Sequence, residues 1–233
     1  MASVGFRVYE KTSRPSKELV ERFRGLPVAN VSDNMNRLYS VDPSIRPVNS
    51  VPLLGTAITV NTPSGDNLMI NCALELAQPG DVLVVSRGND DVAFLGSLMA
   101  RKARNKGLAG IVIDGCVRDY EELKCLDIPV YCRGVSPRGP YKNGPGEVNV
   151  PIAAGGQVVF PGDIIIGDGD GLVVVHPWDA EEIIEAAWAQ NAKENALGEK
   201  LDSTGEYIGI SRDLSDKVRE KAVVYAETWN SFE

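Results

Sequence analysis

The chain has 233 residues, a formal net charge of −8 and a hydrophobic share of 43%, which suits one large domain, or one domain with an extension, whose core needs no disulfides. The acidic balance argues against binding along a nucleic-acid backbone, which requires a basic face, but allows an anionic small molecule where a few arginines gather. No apolar stretch resembles a signal peptide or approaches the roughly 20 residues of a membrane helix, so we expect no membrane partner.

The N-terminal part of the sequence predicts short helices before the first strand. Residues 1–14 are polar and predict a loose arm, and helical patterns follow at about 15–24 and 29–38. The next segment, 48–67, is dense in Val, Ile and Thr and predicts a strand, and 67–80 returns to helical spacing.

The middle of the chain alternates strand and helix patterns. Continuous apolar runs at 80–86, 108–114 and 128–134 are typical of strands buried on both faces. The segments between them, 90–107 and 118–127, have helical spacing. This order predicts a βαβαβ unit in which the three strands are parallel neighbours.

The C-terminal third changes pattern twice. Strands and tight turns follow the βαβαβ unit, and Asp-Gly-Asp-Gly at 168–171 predicts a hairpin turn rather than a calcium loop, because the oxygen ligands of such a loop are missing. From Trp178 the pattern is helical, with a last amphipathic helix over 213–229.

The cysteines and the single histidine argue against several classes of catalytic and metal site. Cys72, Cys116, Cys125 and Cys132 match no zinc-site spacing, and we expect free thiols of a protein in a reducing cytoplasm. The single histidine, His176, leaves Ser–His or Cys–His catalysis without support, since no GxSxG motif precedes it. No GxGxxG or Walker sequence occurs. A metal would therefore have to be a hard ion held by oxygen, Mg²⁺ or Mn²⁺.

The charged residues that follow the central strand are the candidate site. Ligands of open α/β sheets bind at the carboxyl ends of the parallel strands, and Asp114 to Asp119 is the loop predicted there. Asp119 and Glu122 are three residues apart, so one helical face would carry both carboxylates, which suits Mg²⁺. Arg118 offers a permanently charged donor for a carboxylate or an enolate.

A structural alternative for these acids stays open at this point. A surface helix also favours acidic residues in its first turn because of the helix dipole. Glu121 fits that description and is expected to face solvent, and the residues alone do not decide whether Asp119 and Glu122 form a metal site or simply start a helix.

The segment "GDVLVVS…LGSLMARKARNKGLAGIVIDGCVRDYEEL" resembles the RraA-like family. The resemblance covers about residues 25–178, and its specific part is 79–123, where a glycine is followed by the signature Arg-Asp-x-x-Glu/Asp. That family contains class II aldolases of 4-hydroxy-4-methyl-2-oxoglutarate and 4-carboxy-4-hydroxy-2-oxoadipate, which also decarboxylate oxaloacetate. It also contains regulators of ribonuclease E.

The resemblance implies an α/β fold, a β/β/α three-layer sandwich of the swivelling-domain kind, with the βαβαβ unit at its centre and helices at the C-terminus. We expect residues 1–178 to form the aldolase/decarboxylase domain with its N-terminal helices. Residues 179–233 would be a helical extension that packs on the domain or on a neighbouring subunit. Similar proteins are trimers or hexamers, so a homotrimer or a dimer of trimers is implied, with sites between subunits.

The resemblance also implies roles for individual residues. Asp119 would bind Mg²⁺ (or Mn²⁺), Glu122 would hold metal-bound water, and Arg118 would bind the keto oxygen or enolate of the substrate. Asp33 would be a catalytic acid that reaches the neighbouring subunit's site, and Asn67 would line the pocket. The substrate carboxylate would bind backbone N–H groups of Gly96, Ser97, Leu98 and Met99, as anions do at helix N-termini.

Ser97 departs from the family pattern, because aldolases of the family usually carry Asp or Glu there to hold a proton-moving water. Serine is a poor base, so we expect decarboxylation, which needs no base to start, to tolerate Ser97 better than retro-aldol cleavage does. The overall expectation is a metal-dependent lyase that cleaves a C–C bond of a 2-oxo acid through a pyruvate enolate. The alternatives are a non-catalytic regulator that binds a ribonuclease and, less compatible with the sequence around His176, a phosphohistidine carrier.

Overall fold

The computed structural model describes residues 4–86, 88 and 91–205, together with 216, 220 and 221. Two compact units are formed by residues 1–188 and 189–233. The expected boundary at residue 178, and the packing expected of the extension that follows it, stay predictions. No helix among the described residues is both long enough and apolar enough to cross a membrane.

The helices are α1 (Lys17–Glu21), α2 (Val28–Asp33), α3 (Leu68–Leu76), α4 (Ser97–Asn105), α5 (Tyr120–Lys124) and α6 (Ala180–Thr204). The strands are β1 (Phe6–Val8), β2 (Arg46–Pro47), β3 (Leu53–Asn61), β4 (Asp81–Val85), β5 (Ala93–Leu95), β6 (Gly110–Val117), β7 (Val130–Val135), β8 (Gly146–Val148), β9 (Ile152–Ala154), β10 (Gln157–Val159), β11 (Ile164–Asp168) and β12 (Gly171–Val175).

One mixed sheet organises the fold, in the order β1-β8-β3-β4-β6-β7-β2, with β11 and β12 beside β3 and with β5 beside β6. Its centre, β4-β6-β7, is parallel, as the alternation of strand and helix patterns predicted. The crossovers between these strands are helical, which is the usual way to connect parallel neighbours.

The central strands send side chains alternately to two apolar layers. In β4, Leu83 and Val85 belong to the cluster that α3 and α4 cover, whereas Val82 and Val84 belong to the cluster that contains the β9–β10 hairpin. This alternation follows from the two-residue period of a strand. Helices on one face and a second strand layer on the other make the three-layer α/β fold that was expected.

Several expected boundaries were wrong, and tertiary pairing explains each of them. The helix expected over 90–107 begins only at Ser97, because the buried segment Ala93–Leu95 pairs with β6 as a strand. Strand β6 continues to Val117 through an irregularity of register, so Asp114 lies inside the strand rather than in a loop. Residues 6–8 of the supposed loose arm pair with β8.

Other expectations were closer. The 168–171 turn joins β11 to β12 in an antiparallel hairpin. The helices expected at 15–24, 29–38 and 118–127 occur but are shorter, as α1, α2 and α5. The last expected helix, 213–229, lies outside the described residues apart from the isolated positions 216, 220 and 221.

Candidate active site

Two neighbouring strands bring the site together. The backbone N–H of Arg118 donates to the carbonyl of Leu95 at 3.0 Å, continuing the pairing of β5 with β6. The chain then leaves β5 through Gly96 into α4, and leaves β6 through Arg118 and Asp119 into α5. The arginine and the aspartate are thus placed beside the N-terminus of α4, where backbone N–H groups have no partner within the helix.

Asp119 is held in an uncommon backbone conformation. Its φ of 59° and ψ of 43° are left-handed, and it precedes α5 as the N-cap residue. The carboxylate turns towards α4, where Oδ2 accepts a hydrogen bond from the Ser97 N–H at 3.0 Å. The expectation that Asp119 and Glu122 share one face of a helix is therefore wrong for Asp119, which lies before the helix.

Two glycines leave room for these side chains. A Cβ at position 96 would lie 2.2 Å from Oδ2 of Asp119 and 2.9 Å from Cγ of Arg118. A Cβ at position 139 would lie 2.6 Å from one terminal nitrogen of Arg118. Both positions therefore require glycine if Arg118 and Asp119 are to keep their places.

The Arg118 guanidinium is only partly satisfied by the protein. Its Nε is buried and has no hydrogen-bond partner among the described residues, and it lies 3.8 Å from Oδ2 of Asp119. A buried donor without a partner costs free energy, so the arrangement favours an anionic or oxygen-rich ligand that would accept from Arg118.

A cavity of about 340 Å³ opens at this point. Its polar lining includes Lys142, which makes no ion pair with any described residue. The lining thus combines apolar side chains with the polar groups, and two of the polar groups, Arg118 and Lys142, are cationic. The lining residues are Asn67, Asn71, Leu95, Gly96, Leu98, Met99, Arg118, Asp119, Gly139, Pro140 and Lys142.

The wall formed by residues 139–144 is fastened to the Asp66-Asn67 segment. Buried Asp66 accepts hydrogen bonds through Oδ2 from the N–H groups of Asn143 at 2.7 Å and Gly144 at 3.0 Å. The Asn67 side chain donates to the carbonyl of Phe94 at 3.2 Å, and its backbone N–H donates to the carbonyl of Tyr141 at 3.0 Å. Asn67 thus lines the cavity, and its hydrogen bonds connect β5 with the segment that contains Tyr141.

Three expected site residues do not line the cavity. Ser97 is buried, with 3% of its surface exposed, and contributes its N–H to Asp119. Glu122 pairs with Arg101 at 3.3 Å, and Asp33 pairs with Arg37 at 2.8 Å at the end of α2. Asp33 could act in a site only across a subunit boundary, which was the expectation for it and stays a prediction.

The carboxylates near α4 fit a partly hydrated divalent ion. Oδ1 of Asp119 accepts no hydrogen bond from the described residues, and Glu122 reaches the same helix one turn further on, through Arg101. The described residues contain no group of three or more His, Cys, Asp or Glu side chains that could hold a metal. Mg²⁺ commonly uses one or two carboxylates and keeps several waters, so this donor set suits Mg²⁺ rather than a metal that needs an all-protein cage.

His176 lies elsewhere and is bound to buried Asp163 at 2.9 Å, with only 11% of its side chain exposed. That environment does not suit a carrier histidine on a mobile loop. Asn71, Gly139 and Lys142 also line the cavity and were not predicted from the sequence. The last two follow β7, and the carboxyl end of a parallel strand was the signal that could have found them.

The fold and the site together define an α/β protein with a cavity, lined by Arg118 and Lys142, at the carboxyl ends of its parallel strands. The chain belongs to the RraA-like family, since the family model described as Aldolase/RraA matches residues 28–174. A putative 4-hydroxy-4-methyl-2-oxoglutarate aldolase of Halalkalibacterium halodurans is 36% identical over 202 residues, which cover 84% of this chain and 96% of that protein.

Solved structures agree with this family. The Streptomyces coelicolor protein RraAS2, described as an unusual member of the RNase ES inhibitor RraA family, superposes with a TM-score of 0.70 at 31% identity, covering 78% of this chain and 97% of its own. The RNA-processing inhibitor RraA from Thermus thermophilis gives a TM-score of 0.58 at 32% identity, covering 64% and 92%.

Proposed function

We propose that this protein is a divalent-metal-dependent lyase that cleaves a C–C bond of a 2-oxo acid through a pyruvate enolate. The observation that carries the proposal is the unpartnered Nε of Arg118 beside Asp119 in a cavity that also contains Lys142. The substrates that fit are 4-hydroxy-4-methyl-2-oxoglutarate and oxaloacetate, both of which are dianions. The similarity to a putative aldolase over most of both chains supports the same reaction class.

Each residue would have a limited task. Arg118 would hydrogen-bond the oxygen on which negative charge develops, where a preorganised donor is most effective. The first turn of α4, at Leu98 and Met99, would bind the carboxylate of the pyruvyl part. Asp119 would hold Mg²⁺ or Mn²⁺, with Glu122 acting through water. When bound, the metal would supply Lewis-acid stabilisation of that charge.

Ser97 decides which of the two reactions is favoured. Its side chain does not line the cavity, and Asp119 is the only carboxylate among the lining residues of this chain, so proton transfer in retro-aldol cleavage would depend on Asp33 of a neighbouring subunit. Decarboxylation requires no base to start. We therefore propose oxaloacetate decarboxylation as the faster activity, in a homotrimer or a dimer of trimers to which Asp33 contributes across a subunit boundary.

The experiment is pyruvate release from both substrates, with Mg²⁺ and then with EDTA. Asp119→Asn should lower turnover at least about a hundredfold, whereas Asp170→Asn, the same change in the exposed β11–β12 turn, should leave it unchanged. Metal-stimulated turnover that survives Asp119→Asn would exclude this site as the place of reaction.

A second candidate function is regulation of a ribonuclease by binding. Two structural relatives are described as RNase ES or RNA-processing inhibitors, and this observation favours it independently of the cavity. It predicts a stable complex with a ribonuclease and no metal-dependent turnover of either substrate. The pyruvate assay therefore separates the two proposals.

A further inference from the structure

A second cavity of the larger unit shares no lining residue with the cavity of the proposed lyase site. It has a volume of about 190 Å³ and lies where the 34–39 segment meets the end of β12 and the start of α6. His176, the single histidine of the chain, lines it. Its lining also includes Tyr39, Asp179 and Glu182, and contains neither lysine nor arginine.

The imidazole of His176 is fixed by a buried carboxylate. Its Nδ1 lies 2.9 Å from Oδ1 of Asp163, whose side chain is 1% exposed. The other oxygen of Asp163 accepts the Phe160 N–H at 2.8 Å. With Asp163 ionised, Nδ1 would donate to its carboxylate, and a neutral ring would then keep a lone pair at Nε2.

Three aromatic rings hold the imidazole in this orientation. Trp178 stacks on it with centroids 4.7 Å apart and an interplanar angle of 21°. Tyr39 and Phe160 meet it edge to face at 5.4 and 5.5 Å. Nε2 makes no hydrogen bond with the described part of the chain, so this nitrogen is a preorientated acceptor without a partner.

The charged residues of the cavity are also unpaired. Neither Asp179 nor Glu182 forms an ion pair with a described residue, although Glu181, which lies between them in sequence, pairs with Arg22. His176, Asp179 and Glu182 do not form a metal-holding group, since the described residues contain none. The lining residues therefore present hydrogen-bond acceptors and an aromatic ring, and no lysine or arginine is among them.

We propose that this cavity binds a small organic cation with N–H donors, a guanidinium or a primary ammonium group. Such a group would donate to Nε2 of His176 and to the carboxylates of Asp179 and Glu182, and charge-assisted bonds of this kind are the stronger ones. Tyr39 supplies a ring for a cation–π contact. The small volume suits a fragment-sized ligand rather than a nucleotide or a cofactor.

Nuclear magnetic resonance tests the proposal directly, because a single histidine gives a single set of imidazole signals. The full-length ¹⁵N-labelled chain is titrated at mildly alkaline pH with methylguanidinium, ethylammonium and the neutral analogue N-methylurea. A saturable shift is expected with the two cations, larger at Nε2 than at Nδ1, and none with N-methylurea. The readout does not depend on turnover, so it is separate from any test of the lyase.

Substitutions at the two carboxylates of the cavity are compared with one at the glutamate between them. Asp179→Asn and Glu182→Gln should each weaken binding of methylguanidinium roughly tenfold. Glu181→Gln, which removes the same charge from the same turn outside the cavity, should change it by less than about twofold. The proposal is overturned if the wild-type chain shows no saturable shift, if N-methylurea shifts Nε2 as much, or if all three variants behave alike.

Discussion

The backbone N–H of Ser97 donates to Oδ2 of Asp119 at 3.0 Å, across the junction of two separate strand-to-helix turns. This bond ties the start of α4 to the N-cap residue of α5. It uses one of the free N–H groups of α4 to orient the carboxylate rather than to bind a ligand. Oδ1 of Asp119, Arg118 and the next N–H groups of α4 are then the groups that would bind the proposed substrate and metal.

Gly96 makes that bond possible, and its replacement should abolish it. In Gly96→Ala the new Cβ would lie 2.2 Å from Oδ2 of Asp119, so the carboxylate must move. We expect pyruvate release to fall at least about a hundredfold, since misplacing a catalytic group by about 1 Å can have that effect. Gly169→Ala, where a Cβ meets nothing within 4 Å, is the control, and equal activities of the two variants would contradict the proposed role of Asp119.

Glu122 should influence metal binding more than its partner Arg101 does. If Glu122 holds metal-bound water, Glu122→Gln should weaken Mg²⁺ binding about 10- to 100-fold, as the loss of outer-sphere groups does elsewhere. Arg101→Met removes the ion pair at 3.3 Å but keeps the carboxylate, so Mg²⁺ binding should hold or strengthen. Titration of Mg²⁺ in the pyruvate assay measures both, and an equal loss in both variants would assign Glu122 only a structural ion pair.

The site was predictable from sequence where local rules decide, and not where tertiary contacts do. Continuous apolar runs separated by helical segments predicted that β4, β6 and β7 are parallel neighbours. They therefore also predicted the edge of the sheet at which Arg118 and Asp119 lie. Nothing local shows that Ala93–Leu95 pairs with β6, because three apolar residues before a helix fit its first turn equally well. The left-handed backbone of Asp119, two residues after β6, was not predicted either.

The loop that carries Lys142 shows the same limit. Its position depends on Asp66, which is more than 70 residues away in sequence and accepts N–H groups of Asn143 and Gly144. An Asp-Asn pair in a sequence indicates a turn, but not what the turn will hold. Asn67 was expected to line the pocket only through the family resemblance, and its hydrogen bond to the carbonyl of Phe94 explains why an amide suits that place.

Asp66 should act as a positioning residue for the cavity wall. The Asp66 carboxylate accepts the N–H groups of Leu68, Asn143 and Gly144, and Asp66→Asn replaces one of its two acceptor oxygens by an NH₂ donor in a side chain of the same shape. We expect the free energy of unfolding to fall by about 1–3 kcal/mol. We also expect KM to rise more than kcat falls, because Gly139, Pro140 and Lys142 line the cavity and would contact the proposed substrate away from the breaking bond. Denaturant unfolding and the pyruvate assay measure these effects. The control is Asp127→Asn, the same change at an exposed residue whose only ion pair among the described residues is with Arg104. A loss confined to kcat would contradict this role.

Glu147 should make stability depend on pH at the β1 edge. It pairs with Arg7 and accepts the Gly5 N–H at 3.2 Å, and the hydrogen bond from Arg7 holds the pKa of this carboxyl below its usual value. A lowered folded-state pKa gives stability that is present above the unfolded value, near about 4.3, and is lost as the pH falls through the folded pKa.

Glu147→Gln should therefore lower the melting temperature at neutral pH and flatten its decline in acid. The Arg7 side chain is 42% exposed, so salt should weaken the effect. Glu10→Gln, on the same arm but outside any ion pair among the described residues, is the control for lost charge. If both variants shift the acid limb by the same amount, general charge rather than the Arg7 pair is responsible.

The cysteines should differ sharply in reactivity. Burial, with a smaller contribution from neighbouring Cys116, raises the pKa of Cys132 to about 11, whereas Cys125 is exposed. The thiolate is the reactive form, and at pH 8 a thiol with that pKa is ionised in only about one molecule in a thousand. We expect iodoacetamide to alkylate native Cys125 quickly and Cys132 only after unfolding, with Cys72 intermediate because partial burial raises its pKa.

Peptide mass spectrometry of timed samples measures the order in which the cysteines are alkylated. Cys125→Ser should remove the fast phase of alkylation and leave the slower phases unchanged. Cys132 lies on β7, in register with Ile113 of β6, so its protection reports the parallel pairing that places Arg118 and Asp119. Rapid native alkylation of Cys132 would mean that the β6–β7 pairing opens readily, and a site that depends on this edge could not then be preorganised.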